Sequence, residues 1–443
     1  ALLLKGVDKE EIVMIFDDYQ RCRDEKIDLL LEYLQKNLRK SKVIVLSRVR
    51  PKFFSPLHPN VLEKRLSGLN VDETLELLSS KGVHVNQDEA VKIQKRLSGH
   101  PLALNMFCEA FKEKRLAEVI ENLPELGLLE YFWNEVYQGL DEREKTLLKC
   151  MSVFRYPVPA KAILSVSDVK GIRGTLFSLE RKMLLGRLNG KYFMHEVIRN
   201  LCYRLIDDVK KMHRRAAEYY LSEESTEDLL EAVYHMIKAG DFQKAAQSIR
   251  EDLEFKRHNC IERGYLIQCL DLLKNIPQES VDEQTWSWVL YGKGRIHLAR
   301  GEFRKAIQEL SRSLRTAERL SDTSLTVKTL KNLAKAYLGR GDLNMSESCF
   351  TRCLRLLEDT SDWSELGSTF LEASLLYLYL GDPVSMKRFL DKGLDLCQKA
   401  GDKRNVAMGY YHYAGLYEIR NEWDKAVESC EKSLKIFKDI GDV

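Results

Sequence analysis

Apolar positions along this chain follow two rhythms. Residues 1–220 mix short unbroken apolar runs with helical patterns, while residues 225–443 carry helical periodicity alone. The first run, Ile12-Val13-Met14-Ile15-Phe16, suits a strand buried on both faces, as in a parallel sheet. Residues 24–38 then place Ile27, Leu30, Leu31, Leu34 and Leu38 at helical spacing. Asp24 and Glu25 open that segment and Arg39 and Lys40 close it, which complements a helix dipole. Val43-Ile44-Val45-Leu46 predicts a second strand, so the order is β-α-β. Asp17 and Asp18 then fall at the C-terminal end of one strand and Arg48 just past the other, where open α/β sheets bind ligands.

The second half repeats. A Gly-acid pair recurs at Gly240-Asp241, Gly301-Glu302, Gly341-Asp342 and Gly381-Asp382, with Asn421-Glu422 as a variant, and the last four are 40 residues apart. Seven residues before it stand small side chains: Gly294, Ala334, Ser374 and Ala414. Four before it stand His297, Tyr337, Tyr377 and Tyr417. Five after it come Ala306, Ser346, Met386 and Ala426. Small residues let antiparallel helices approach, a large residue fills the space beside them, and Gly or Asn turns the chain with positive φ. One such pair cannot bury its own face, so pairs stack into a solenoid. The pair at 228–250 is weaker, and 260–275 reads as an intervening helix.

Composition narrows the picture. Lys and Arg total 70, Asp and Glu 67, for a formal charge of +3 over 443 residues. That balance speaks against a broad nucleic-acid surface. Nine prolines and 24 glycines favour helix over a turn-rich β protein. No apolar run reaches the roughly 18 residues of a membrane helix. No basic segment with a cleavage site opens the chain, so no signal peptide is read. Ten cysteines occur without a C-x-x-C pair, mostly in amphipathic helical segments, as expected of reduced thiols in a cytoplasmic protein. Cys349 and Cys353 lie one turn apart with no companion ligand for zinc.

Acidic residues after a buried strand have the form of a Walker B motif. Asp17 would then hold Mg²⁺, Asp18 would polarise the attacking water, and Arg48 would reach the γ-phosphate. The plainer reading is a strand running into a polar loop. Further along come Leu66-Ser67-Gly68-Leu69, an acidic helix at 72–80, and Leu97-Ser98-Gly99-His100-Pro101. Residues 140–200 read as three helices and a hairpin signal with Asn189-Gly190, followed by Met194-His195-Glu196. Pro101 alone reads as a helix-start proline, and His195 alone as an ordinary core or surface histidine.

In this order the segments resemble the STAND NTPases, signal transduction ATPases with numerous domains that include NB-ARC proteins. The repeats resemble tetratricopeptide repeats (TPRs), with a period longer than the usual 34 or so. The resemblance implies a multidomain, mainly α protein. A partial α/β P-loop NTPase core would span 1–60 and a helical lid 61–125. A winged helix would span 126–205, a linker with degenerate helical repeats 206–280, and a TPR α-solenoid 281–443. It implies ATP/ADP and Mg²⁺ as cofactors. Asp17 and Asp18 match the strand-end acids and Arg48 the sensor-1 arginine. Pro101 beside Gly99 matches the lid proline packed by the adenine, and His195 the histidine on the ADP β-phosphate. Glu196 departs from the usual Asp of that motif.

No G-x-x-x-x-G-K-[ST] occurs. Because the chain opens Ala-Leu-Leu-Leu, a longer parent with the P-loop upstream is expected, and ATP hydrolysis is assigned only to that parent. The resemblance implies a switch in which a protein or small-molecule inducer on the TPR surface controls nucleotide exchange, self-oligomerisation and effector activation. Two alternatives stand beside it. One is a non-enzymatic TPR scaffold with a degenerate NTPase domain. The other is a STAND transcriptional activator whose DNA-binding domain lies outside this chain.

Overall fold

A computed structural model of the chain describes residues 11–17, 19, 25–47, 62, 64, 66–97, 99–110, 137–169, 171–182, 184–255, 260–261, 263–358 and 360–441. Contacts divide it into two compact units, 1–132 and 133–443. The described residues hold twenty α-helices, and the protein is mainly α.

In the first unit, strands β1 (Val13–Phe16) and β2 (Lys42–Val45) pair in parallel, with Val13 opposite Lys42 and Phe16 opposite Val45. Helix α1 (Glu25–Asn37) makes the crossover and buries Leu31 and Leu34. The strands depart from the expected burial on both faces. Val13, Ile15 and Ile44 are 56%, 63% and 44% exposed, and burial alternates along each strand. A single crossover helix covers one face of a strand pair, and no second layer covers the other among the described residues.

Three short helices follow, α2 (Val71–Ser80), α3 (Gln87–Leu97) and α4 (Pro101–Ala110). Asn70 and Glu73 form a reciprocal capping box at the start of α2, and Asn86 and Glu89 form another at α3. Leu78, Ile93, Leu104 and Phe107 are fully buried among them.

The second unit opens with α5 (Glu142–Ser152), α6 (Ala160–Val166) and α7 (Arg173–Arg181). Glu144 caps α5 and also accepts hydrogen bonds from Lys182 Nζ at 2.7 Å and Ser178 Oγ at 2.6 Å, which ties α5 to α7. Strands β3 (Gly186–Leu188) and β4 (Lys191–Phe193) pair antiparallel. Asn189 and Gly190 turn between them at φ 49° and 79°, the left-handed pair a tight hairpin requires. Helix α8 (Glu196–Arg204) leads to α9 (Val209–Leu221), α10 (Thr226–Ala239), α11 (Phe242–Phe255) and α12 (Leu266–Lys274).

Four helix pairs complete the chain. They are α13 (Glu283–Ala299) with α14 (Phe303–Arg319), α15 (Thr323–Arg340) with α16 (Leu343–Glu358), α17 (Trp363–Leu380) with α18 (Pro383–Lys399), and α19 (Lys403–Ile419) with α20 (Trp423–Asp439). Each recurring Gly or Asn sits in the left-handed turn inside a pair: Gly301, Gly341, Gly381 and Asn421 have φ of 71°, 88°, 67° and 58°. The small position permits the expected close approach. A Cβ on Gly294 would lie 2.5 Å from Leu310 Cγ, inside contact distance. Ser287 and Ser313 cross the same interface, each hydroxyl donating to the other's carbonyl at 3.0 and 2.9 Å. The described cysteines form no disulfide with one another, and all but the exposed Cys430 are buried, while Cys22 lies outside the described residues. No described helix is long and apolar enough to cross a membrane.

Candidate functional site

Asp17 follows β1 directly, and its side chain is exposed. Leu46 N–H donates to Phe16 O at 2.8 Å and Tyr19 N–H to Leu46 O at 3.1 Å, so the parallel ladder runs past both strands and seats Asp17 at their C-terminal end. Asp18 and Arg48 lie outside the described residues. Among the described residues, no group of three or more His, Cys, Asp or Glu gathers as a metal site.

Gly99 and Pro101 share the joint between α3 and α4. Gly99 has φ 62°, and its carbonyl accepts Leu69 N–H at 2.8 Å. A Cβ there would sit 2.1 Å from Leu69 O. Glycine at this position is therefore demanded by the crossing of two backbone segments. The crossing sets Gly99 against Gly68 and Leu69. Pro101 is the first residue of α4, where its missing N–H costs nothing, and it is exposed. His100, not singled out from the sequence, caps that helix with Nδ1 3.4 Å from Ala103 N.

His195 belongs to the second unit and caps α8, its Nδ1 accepting Val197 N–H at 3.3 Å. A neutral imidazole accepting through Nδ1 carries its proton on Nε2 and so presents a donor there. The signal that could have found this cap is a polar residue two before the apolar Val197-Ile198 pair.

The other concentrations of polar chemistry lie in the second unit. A ladder of aspartates 40 residues apart, Asp282, Asp322, Asp362 and Asp402, caps the first helix of each repeat through the N–H groups of Thr285, Leu325, Glu365 and Asn405. Three of them also join the preceding repeat, through Gln243, Gln284 and Ser364. Their spacing was legible in the sequence and went unread.

The first helices of successive repeats also touch through one polar row. Lys331 Nζ is 2.9 Å from both Glu365 Oε1 and Ser368 Oγ, Lys335 Nζ is 2.8 Å from Glu372 Oε1, and Asn332 Nδ2 is 3.3 Å from Tyr291 Oη. Burial alone would raise the Glu372 carboxyl, but Lys331 and Lys335 beside it hold it down at about 2. Burial opposes the charge on Lys331, and Glu372 and Glu365 overcome it and raise its pKa.

A buried histidine pair marks the start of the helical array. His213 Nδ1 and His235 Nδ1 are 2.7 Å apart, and His213 Nε2 is 2.9 Å from Tyr203 Oη. His235 is fully buried, and its Nε2 has no hydrogen-bond partner among the described residues. Burial, with Lys238 nearby, pushes His213 down to about 4. Burial, then His213 and Arg155, pushes His235 well below its ordinary value.

Comparison with known proteins bears on the fold. Residues 287–359, covering α13 to α16, match the family model described as a tetratricopeptide repeat. No curated protein matches the sequence closely. Among solved structures, the chain is similar to a Signal Transduction ATPase with Numerous Domains (STAND) protein with a tetratricopeptide repeat sensor from Pyrococcus horikoshii. The identity is 22%, the match covers 98% of this chain and 70% of that one, and the TM-score is 0.53. It is also similar, at TM-scores of 0.35, to BtubC from P. vanneervenii (12% identity, 53% of this chain and 91% of that one) and to aspartyl phosphate phosphatase F from Bacillus subtilis (12% identity, 85% and 96%). The chain thus carries a TPR domain within a mainly helical fold shared with the archaeal protein.

Proposed function

We propose that this chain belongs to a STAND-type, ATP/ADP-dependent signal-transduction switch. Its TPR array senses a protein or small-molecule inducer and thereby controls nucleotide exchange, self-oligomerisation and effector activation. The observation that carries this reading is the fold likeness to the archaeal STAND protein over 98% of the chain. In this reading 1–60 is the partial NTPase core, 61–125 the lid, 126–205 a winged helix, 206–280 a linker with degenerate repeats and 281–443 the sensor.

The described residues fit an ADP- or ATP-Mg²⁺ group in two respects. Asp17 is exposed beyond a parallel strand, where a carboxylate can reach a cation. His195 Nδ1 accepts Val197 N–H, so a neutral ring would present Nε2 as the donor a phosphate needs. Asp17 would hold Mg²⁺, Asp18 would orient water, Arg48 and His195 would meet phosphate oxygens, and the Gly99-Pro101 turn would border the base. Mg²⁺ neutralises phosphate charge when bound. Hydrolysis is assigned to a parent chain that supplies the P-loop.

Nucleotide retention by that parent tests the reading. His195→Ala should shorten ADP retention, and Asp17→Ala with Asp18→Ala should abolish turnover. ADP release unchanged in the histidine variant removes the clamp, and full turnover without the acids removes their assignment. The lack of a Walker A sequence in these 443 residues favours a second reading, a TPR scaffold that binds no nucleotide. The same retention assay separates the two.

A further inference from the structure

Helix α8 is held by polar bonds that lead into the helical array. His195, Arg199 and Tyr203 are spaced by four residues and so follow one side of it. His195 caps the start of the helix. Arg199 Nη1 donates to the carbonyl oxygen of Arg155 at 3.5 Å. The Arg155 side chain is in turn bound to α10, with Nε 3.2 Å from Glu231 Oε2 and the guanidinium 3.6 Å from the centre of the Tyr234 ring. At the far end of α8, Tyr203 Oη lies 2.9 Å from His213 Nε2 on α9, and His213 Nδ1 lies 2.7 Å from His235 Nδ1 on α10. Burial keeps both imidazoles neutral, so each carries one proton. His213 uses both nitrogens, and must donate through one and accept through the other. The Tyr203 hydroxyl and the His235 ring are therefore coupled through a single proton. His235 Nε2 has no partner among the described residues, so Nδ1 is the polar tether of that ring.

We propose that Tyr203 and His213 are positioning residues: the chain of bonds from α10 through α9 sets the place of α8, and α8 carries that setting to the His195 imidazole at its other end. The helix has nine residues and buries Ile198 and Cys202, so it moves as one rod of about 13 Å. Apolar packing has no direction and tolerates sliding, whereas hydrogen bonds of 2.7 and 2.9 Å fix both distance and angle. A turn of α10 against α9 therefore breaks or drags the chain at Tyr203. For nucleotide retention the proposal rests on the reading above, in which His195 meets a phosphate. It names the bonds through which a change in the array reaches that side chain.

Hydrogen exchange read by mass spectrometry on the 443-residue chain, without nucleotide, tests the relay. Tyr203→Phe removes one hydroxyl and keeps the ring. It should speed exchange of α8 by about fivefold, the worth of one hydrogen bond, and leave α15 unchanged. His213→Gln keeps a polar atom within reach of Tyr203 and should stay within about twofold of the unaltered chain, whereas His213→Leu should match Tyr203→Phe. Unchanged α8 exchange in folded Tyr203→Phe, or equal acceleration by Gln and Leu at position 213, overturns the proposal. Where a variant does not fold, the unaltered chain decides: α8 should be protected to within about tenfold of α9, and faster exchange overturns the proposal as well. In the parent chain, Tyr203→Phe should shorten ADP retention, and adding it to His195→Ala should change nothing further. Additive effects there would put Tyr203 on a separate route and overturn its link to His195. If His195→Ala leaves ADP release unchanged, the nucleotide reading fails, while exchange in α8 still decides the relay.

Discussion

The strand pair of the first unit and the repeat array of the second were both read from apolar patterning, yet they bury it differently. At β1, Val13 and Ile15 are 56% and 63% exposed. At equivalent points of three repeats, Leu310, Phe350 and Leu390 are 0%, 2% and 0% exposed. A repeat meets its burial partner in the next 40 residues, so local sequence carries the whole interface. A strand in a parallel sheet needs layers on both faces, supplied by segments distant in the chain. The same difference shows at α20, where Trp423, Val427 and Leu434 are 57%, 58% and 47% exposed. Patterning therefore predicts that a residue will be covered, but the neighbour that covers it must be found in space.

The comparison can be broken most directly by overfilling the array. Gly294→Val would drive a side chain into Leu310 and should cost about 3 kcal/mol, seen as a lower midpoint in denaturant. A loss below about 0.5 kcal/mol would mean that the repeats are looser than their geometry.

Acidification probes the start of the array. His213 is depressed to about 4 in the folded chain and His235 well below its ordinary value, against an unfolded value near 6.5. The unfolded chain then binds more protons below pH 6.5. Their stabilisation is complete above that pH and is lost as pH falls toward about 4. The loss from His213 alone should reach on the order of 3 kcal/mol, and His213→Phe should flatten that limb of the stability curve. An unchanged acid limb would show that the pair is not buried as a neutral dyad.

The smallest effect is expected on the open strand face. Ile15→Thr should change stability by less than about 0.5 kcal/mol, because the side chain is already mostly in water. A loss above about 1.5 kcal/mol would show that the face is covered in solution, and would close the contrast with the array.

Much of the array was legible because its determinants are local. Gly341 and Asn421 mark left-handed turns, Gly294 and Ala334 mark close approaches, and all four can be placed by counting. The parallel β1-β2 pairing was legible for a similar reason, since one crossover helix joins adjacent strands. The candidate site was legible only as residue types in order. His195 was singled out for a phosphate, and its role as the cap of α8 emerged from backbone geometry. Gly99 was singled out beside a base, and its need for φ 62° emerged from a crossing with Leu69, thirty residues earlier in the chain.

Sequence by itself determined the helical repeats, their turn residues and the register of small against large side chains, because these interactions connect residues within one or two periods. Tertiary structure alone decided which charges face one another. Lys331 meets Glu365 and Glu372, Arg250 and Lys328 converge on Trp288, and His213 meets His235. Each of those meetings depends on how one helix turns against another. A rotation of about 100° per residue moves a side chain from water to a groove without altering the apolar count.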